Sequence, residues 1–129
     1  MIGWEGIVNK KVIYLVEDNI EISDLVEYLL NDIGYKTICS TTVSDFNRNI
    51  DIALPDMIIL DIMLPDGNGI DVCKGLKTNS ITNHIPIIIM SAHVNIELKA
   101  LESGANDFIS KPFDIDDFIA RVELQSAEV

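Results

Sequence analysis

Residues 57–69 read MIILDIMLPDGNG. The opening Met57–Leu60 is an unbroken apolar run that ends on a carboxylate, Asp61. A run of this kind lacks the alternation of a half-exposed strand and suits a parallel strand covered on both faces. The closing Pro65-Asp66-Gly67-Asn68-Gly69 punctuates a turn. Its Asp66-Gly67 and Asn68-Gly69 pairs predict positive φ at one or both glycines. Two other segments have the same form. Val12–Val16 ends in Glu17-Asp18-Asn19, and Ile87–Met90 follows Pro86 and ends in Ser91. Thr37–Cys39 and Asp107–Ile109 are shorter and less apolar, and fit edge strands.

Helical spacing fills the gaps between these runs. Ile22, Leu25, Val26, Leu29 and Leu30 recur at three to four residues and stop at Gly34. Val43, Phe46 and Ile50 form a second stripe before Pro55, with Thr42 or Ser44 as its cap. Ile70, Cys73 and Leu76 mark a third between Gly69 and Leu76, and Ile96, Leu98 and Leu101 a fourth before Gly104. Ile115, Phe118, Ile119 and Val122 mark a fifth, from about Asp114 to near the end. Strand then helix, five times over, predicts one α/β domain with an open parallel sheet. Right-handed crossovers set its helices on both faces.

Composition agrees. A chain of 129 residues fits one domain with one sizeable core, and an apolar fraction of 48% argues against disorder. Nine basic against 21 acidic residues leave a charge of −12. That balance disfavours direct contact with nucleic acid or anionic lipid, and suits a cation or a basic partner surface. Cys39 and Cys73 lie far apart, make no disulfide framework, and read as small hydrophobes. No apolar run spans a membrane and no signal peptide is evident, so a reducing cytoplasmic setting is expected. Residues 1–10 read as a short extension carrying Trp4, residues 11–125 as the domain, and 126–129 as a tail.

Sites in open α/β sheets form beyond the carboxyl ends of the strands. The polar residues there are Glu17 and Asp18, Asp61, Ser91, and Lys111. Three convergent carboxylates repel one another, and a divalent cation resolves the repulsion. Hard oxygen ligands suit Mg²⁺ or Mn²⁺. Asp18 and Asp61 are the expected direct ligands, Glu17 acts through water, and the Met63 carbonyl completes the protein's share. Lys111 and Ser91 would meet phosphoryl oxygens, with Asp61 as the nucleophile. Each residue also has a plain reading: helix-start acids for Glu17 and Asp18, a turn for Asp61, a helix cap for Ser91, a surface lysine for Lys111. Their joint placement at successive strand ends favours the site. No Walker sequence, GxGxxG or Ser–His–Asp set is present. His84 is expected to face solvent, and His93 reads equally as a surface residue or as part of the site.

These residues resemble the receiver domain of two-component response regulators over about residues 11–125. The acidic pair stands in VIYLVEDN, the acceptor in MIILDIMLPDGNG, the hydroxyl in IPIIIMSAH, and the lysine in GANDFISKPF. The resemblance implies a flavodoxin-like, doubly wound fold: a five-stranded parallel sheet in the order 2-1-3-4-5 with five helices. It implies a cis Lys111–Pro112 bond. It implies Mg²⁺-dependent phosphorylation of Asp61 by a sensor histidine kinase, a histidine phosphotransfer protein or a small phosphodonor. Ser91 and Phe108 would act as the switch pair, and the face built from residues about 95–125 would change its partner affinity. Met63 and His93 occupy the family's variable positions that tune the lifetime of the phosphorylated state.

The output is expected to be a downstream protein or an attached domain, with at most weak self-association. One large subfamily of transcriptional regulators dimerises through salt bridges on the last two helices and strand. Here Glu97 stands where a base is expected, opposite a position near Asp117, while Asp107 and Arg121 keep another pair. Two acids would repel, which disfavours that dimer. Two other readings compete: a pseudo-receiver that binds partners without phosphorylation, and a small aspartyl-phosphate phosphatase, for whose extra groups the chain has little room. Met1 is expected to be the natural start. The domain fits equally a stand-alone protein or the receiver of a longer regulator or hybrid kinase.

Overall fold

The computed structural model describes residues 10–93 and 95–127. Five parallel strands, β1 Val12–Val16, β2 Lys36–Ser40, β3 Met57–Asp61, β4 Ile87–Ser91 and β5 Asp107–Ser110, form one sheet. Their order is β2-β1-β3-β4-β5, as the family resemblance implies. The helices are α1 Ile20–Asp32, α2 Val43–Ile52, α3 Gly69–Thr78, α4 Glu97–Glu102 and α5 Ile115–Ala127. Among the described residues, no helix is long and apolar enough to cross a membrane.

The unbroken apolar runs are the central strands, because β3 and β4 are buried at every position. Alternate side chains feed two cores. Tyr14, Val16, Ile58, Leu60 and Ile89 pack with Phe46 of α2, Cys73 of α3 and Ala100 of α4. Ile13, Leu15, Ile59, Ile88 and Met90 pack with Val26, Leu29 and Leu30 of α1 and with Phe118 and Val122 of α5. Each such side chain contributes roughly 1.5–3 kcal/mol of burial free energy. Two cores of that size hold the strand ends in fixed register.

The helix starts follow the sequence signals. Asn19 Oδ1 accepts from the Ile22 N–H, Thr42 Oγ1 from Asp45, and Asn68 Oδ1 from Ile70. α1 and α4 are each followed by a glycine with positive φ, Gly34 at 101° and Gly104 at 104°.

Several expectations need correction. Neither Gly67 nor Gly69 has positive φ. They stand in a two-residue antiparallel ribbon, Met63–Leu64 with Gly67–Asn68, and at the first position of α3. Gly69 answers a steric demand instead: a Cβ there would lie 2.1 Å from the Asp61 carbonyl oxygen. Its N–H donates to the Ile62 carbonyl at 2.8 Å, which draws α3 against the end of β3.

The stripe of α4 faces the core only in part, since Ile96 packs against it while Leu98 and Leu101 do not. Leu98 is 68% exposed and Leu101 40%, while Ala100 is fully buried, so the small side chain meets the sheet. Cys73 is buried as predicted, but Cys39 is exposed on the edge strand β2. α5 continues through Ala127, two residues beyond the expected domain end at 125. Its last turn is tied down because Lys11 Nζ donates to the Ser126 carbonyl and hydroxyl at 2.9 and 3.2 Å. Trp4 lies outside the described residues.

Candidate functional site

Parallel register brings the strand ends to one edge. Val16 pairs with Leu60, Asp61 with Met90, and Ser91 with Ser110. Glu17 therefore leaves β1 beside Asp61, and Lys111 leaves β5 beside the end of β4. The Lys111 N–H donates to the Ser91 carbonyl at 2.9 Å, and the Lys111–Pro112 peptide is cis, as expected.

Carboxylate oxygens of Glu17, Asp18 and Asp61 all lie within 4.8 Å of one another. Lys111 Nζ donates to Glu17 Oε1 at 2.5 Å and to Asp61 Oδ2 at 3.3 Å. The remaining oxygens have backbone partners: Asp61 Oδ1 accepts from the Ile62 N–H at 2.7 Å, and Glu17 Oε2 from the Asn19 N–H at 3.1 Å. Glu17 is 1% exposed and Asp61 7%, whereas Asp18 is open to solvent. Burial pushes the Glu17 carboxyl above its ordinary range, and the bonds from Lys111 and Asn19 offset that only in part.

One ammonium thus faces three carboxylates, and the local excess is negative. Such a donor set fits a hard divalent cation. Asp18 is open to solvent, while Glu17 and Asp61 are buried and each is hydrogen-bonded at both carboxylate oxygens.

The other predicted residues are placed as follows. Ser91 is 1% exposed, and its Oγ accepts the His93 N–H at 3.0 Å. It shapes the turn after β4 and does not cap α4, whose start has no side-chain cap. Phe108 is buried on β5, in the same core as Ala100 and Ala105. The Met63 side chain, two residues beyond Asp61, is 60% exposed, and His93 and His84 are exposed.

Asp66 is a residue whose part sequence reasoning missed. From the turn after β3 its carboxylate accepts the N–H groups of Val43 and Ser44 at 2.7 and 3.0 Å, so the acceptor loop caps α2. Those bonds hold the Asp66 carboxyl below its ordinary range. The sequence marked Asp66 as a turn residue, and a helix start 22 residues earlier leaves no local signal.

Residues 13–123 match the family described as the response regulator receiver domain. The chain belongs to that family. Among similar proteins is the phosphate regulon transcriptional regulatory protein PhoB of Escherichia coli, 34% identical over 113 residues, covering 86% of this chain and 49% of the relative. Another is the hybrid signal transduction histidine kinase D of Dictyostelium discoideum, 30% identical over 92% of this chain and 8% of that protein. The chain thus spans about half the length of the first of these relatives and a small part of the second. A solved signal receiver domain of a histidine kinase from Syntrophus aciditrophicus superposes with a TM-score of 0.86 at 27% identity, covering 92% of each chain.

A receiver domain of this family is a phosphorylation-dependent signalling switch. Receiver domains bind Mg²⁺ at an acidic pocket, and the Glu17, Asp18 and Asp61 cluster could hold a metal ion.

Proposed function

We propose that Asp61 is the phosphoryl acceptor. The observation that carries this reading is the bond of Lys111 to both Glu17 and Asp61, inside a three-carboxylate cluster at the carboxyl edge of the sheet. An Asp61 carboxylate oxygen attacks the phosphorus of a phosphohistidine on a sensor kinase or phosphotransfer protein, or of a small phosphodonor. The new P–O bond to Asp61 forms as the donor's bond to phosphorus breaks: from phosphohistidine the P–N bond breaks and the histidine takes a proton as it leaves, and from acetyl phosphate the P–O bond to the acetyl group breaks and acetate leaves. Water later cleaves the acyl phosphate to inorganic phosphate and free Asp61.

Asp18, Asp61 and the Met63 carbonyl would hold Mg²⁺ or Mn²⁺ directly, and Glu17 would act through water. When bound, the ion neutralises charge that builds on the phosphoryl oxygens. Lys111 meets one phosphoryl oxygen and so leaves its resting carboxylates. The Ser91 hydroxyl, which accepts from His93, keeps its own proton to donate to another. Phe108 packs beneath α4, so a shift of Ser91 and Phe108 reaches the outer face by rebalancing two packings. Met63 and His93, each two residues past a site residue, set the access of water to the acyl phosphate. The setting is cytoplasmic, and the output is a downstream protein or an attached domain.

The test is intact mass after incubation with acetyl phosphate, with and without Mg²⁺, beside Asp61→Asn. A labile gain of one phosphoryl group that needs both Mg²⁺ and Asp61 is expected. No gain, together with no Mg²⁺ binding and no beryllofluoride-induced shift at Ser91 and Phe108, would leave a phosphorylation-independent binding module.

A further inference from the structure

The carbonyl of Met63, which the proposed cation site uses, is carried on the small antiparallel ribbon beyond β3. In it Met63 stands opposite Asn68 and Leu64 opposite Gly67, so Pro65 and Asp66 form the tip. The foot of the ribbon is fastened locally. Asp61 Oδ1 accepts the Ile62 N–H at 2.7 Å, and the Gly69 N–H donates to the Ile62 carbonyl at 2.8 Å. Leu64 is buried in the core that also holds Phe46 of α2.

The tip is fastened from far along the chain. Asp66 Oδ1 accepts the Val43 N–H at 2.7 Å and Oδ2 accepts the Ser44 N–H at 3.0 Å, across 23 and 22 residues. Two oxygens on two successive N–H groups fix the tilt of the carboxylate as well as its place. Among the described residues, no other hydrogen bond joins residues 63–67 to the body of the domain. Gly67 also lies against α2, because a Cβ there would come within 2.9 Å of Val43 Cγ2.

The start of α2 has a second cap, supplied by its own neighbour in the chain: Thr42 Oγ1 accepts the Asp45 N–H at 3.0 Å. Both residues satisfy N–H groups that a helix start leaves unpaired. Of the two, Asp66 alone ties that helix start to the loop beside the acceptor. One helix end therefore carries a cap that only caps and a cap that also braces.

We propose that Asp66 is a positioning residue for the cation site, holding the ribbon so that the Met63 carbonyl is in place before the ion arrives. The proposal rests on the receiver reading, in which that carbonyl is a ligand. Mg²⁺ demands a near-ideal octahedron of oxygens at short range. A ligand on a loop that must first be ordered costs affinity, and a braced loop avoids that cost.

The test is titration of the full chain with Mg²⁺ by calorimetry, with the Met63 carbonyl ¹³C signal followed by NMR and each variant melted without metal. Asp66→Ala should weaken Mg²⁺ binding about tenfold. Thr42→Ala should lower the melting temperature comparably and leave Mg²⁺ affinity unchanged. Asp66→Asn keeps one acceptor oxygen and loses the charge, and should bind Mg²⁺ more tightly than Asp66→Ala.

Native Mg²⁺ affinity in Asp66→Ala overturns the proposal. So does an equal loss in Thr42→Ala, which would make the effect one of helix stability. An equal loss in Asp66→Asn overturns it too, by making the effect one of charge. In each of these cases a Met63 signal that moves with Mg²⁺ leaves the ligand reading standing. A native chain that binds no Mg²⁺, or binds it without moving that signal, sinks the ligand reading and the proposal with it.

Discussion

At the carboxyl edge of the sheet Lys111 lies between Glu17 and Asp61; on the flank of α5 Arg121 lies between Asp107 and Asp117. Both are one cation between two carboxylates, yet their surroundings differ. The Lys111, Glu17 and Asp61 side chains are 12%, 1% and 10% exposed. Those of Arg121, Asp107 and Asp117 are 39%, 20% and 52% exposed. Water screens the second cluster and makes its net value small. The first has lost that screening and gains a third carboxylate from Asp18. The same pairing is therefore a surface clasp in one place and, in the other, a stressed site that a cation can relieve.

Four measurements bear on that contrast, from the largest effect to the smallest. Lys111→Met strands Glu17 without its partner, and should lower the unfolding free energy by about 3 kcal/mol in urea without Mg²⁺. Asp61→Asn keeps the shape and removes one repelling charge. It should raise metal-free stability by about 1 kcal/mol and abolish stabilisation by Mg²⁺ in thermal melts. A loss of stability in that variant would contradict the picture of a stressed edge.

Glu17 adds a pH signature. Its carboxyl is raised in the folded state, chiefly by burial. The stability linked to its protonation is therefore complete below the ordinary glutamate range, and is lost as pH rises through the raised value. The melting temperature of Glu17→Gln relative to the native chain should accordingly climb over that window without Mg²⁺. A flat difference would show that Glu17 is not strained. Arg121→Leu should cost less than about 1 kcal/mol by the same urea measurement. A cost as large as that of Lys111→Met would erase the distinction between the two clusters.

Much of this was legible in the chain. Apolar runs without alternation announced buried parallel strands, and β3 and β4 are buried throughout. Each run ended in a polar residue, so parallel geometry alone sent Glu17, Asp61, Ser91 and Lys111 to one edge. Where the reading failed, it relied on local signals for non-local facts. Gly69 looked like a turn glycine, but its constraint is the carbonyl of Asp61, eight residues away in the chain and 2.1 Å from a would-be Cβ. Leu98 and Leu101 kept helical spacing, yet the short α4 offers Ala100 to the sheet.

The sequence by itself determined the alternation of elements, the strand order through the family resemblance, and the chemical types at the strand ends. These follow from periodicity and residue chemistry, which a linear chain displays. Only the tertiary structure decided that Lys111 chooses Glu17 at 2.5 Å over Asp61 at 3.3 Å. It alone decided that Asp66 caps α2, and that Arg121 is spent on Asp107 and Asp117. The reason is physical: hydrogen bonds and ion pairs act over a few ångströms, and distances of that size between residues far apart in the chain exist only once the two cores have set the backbone.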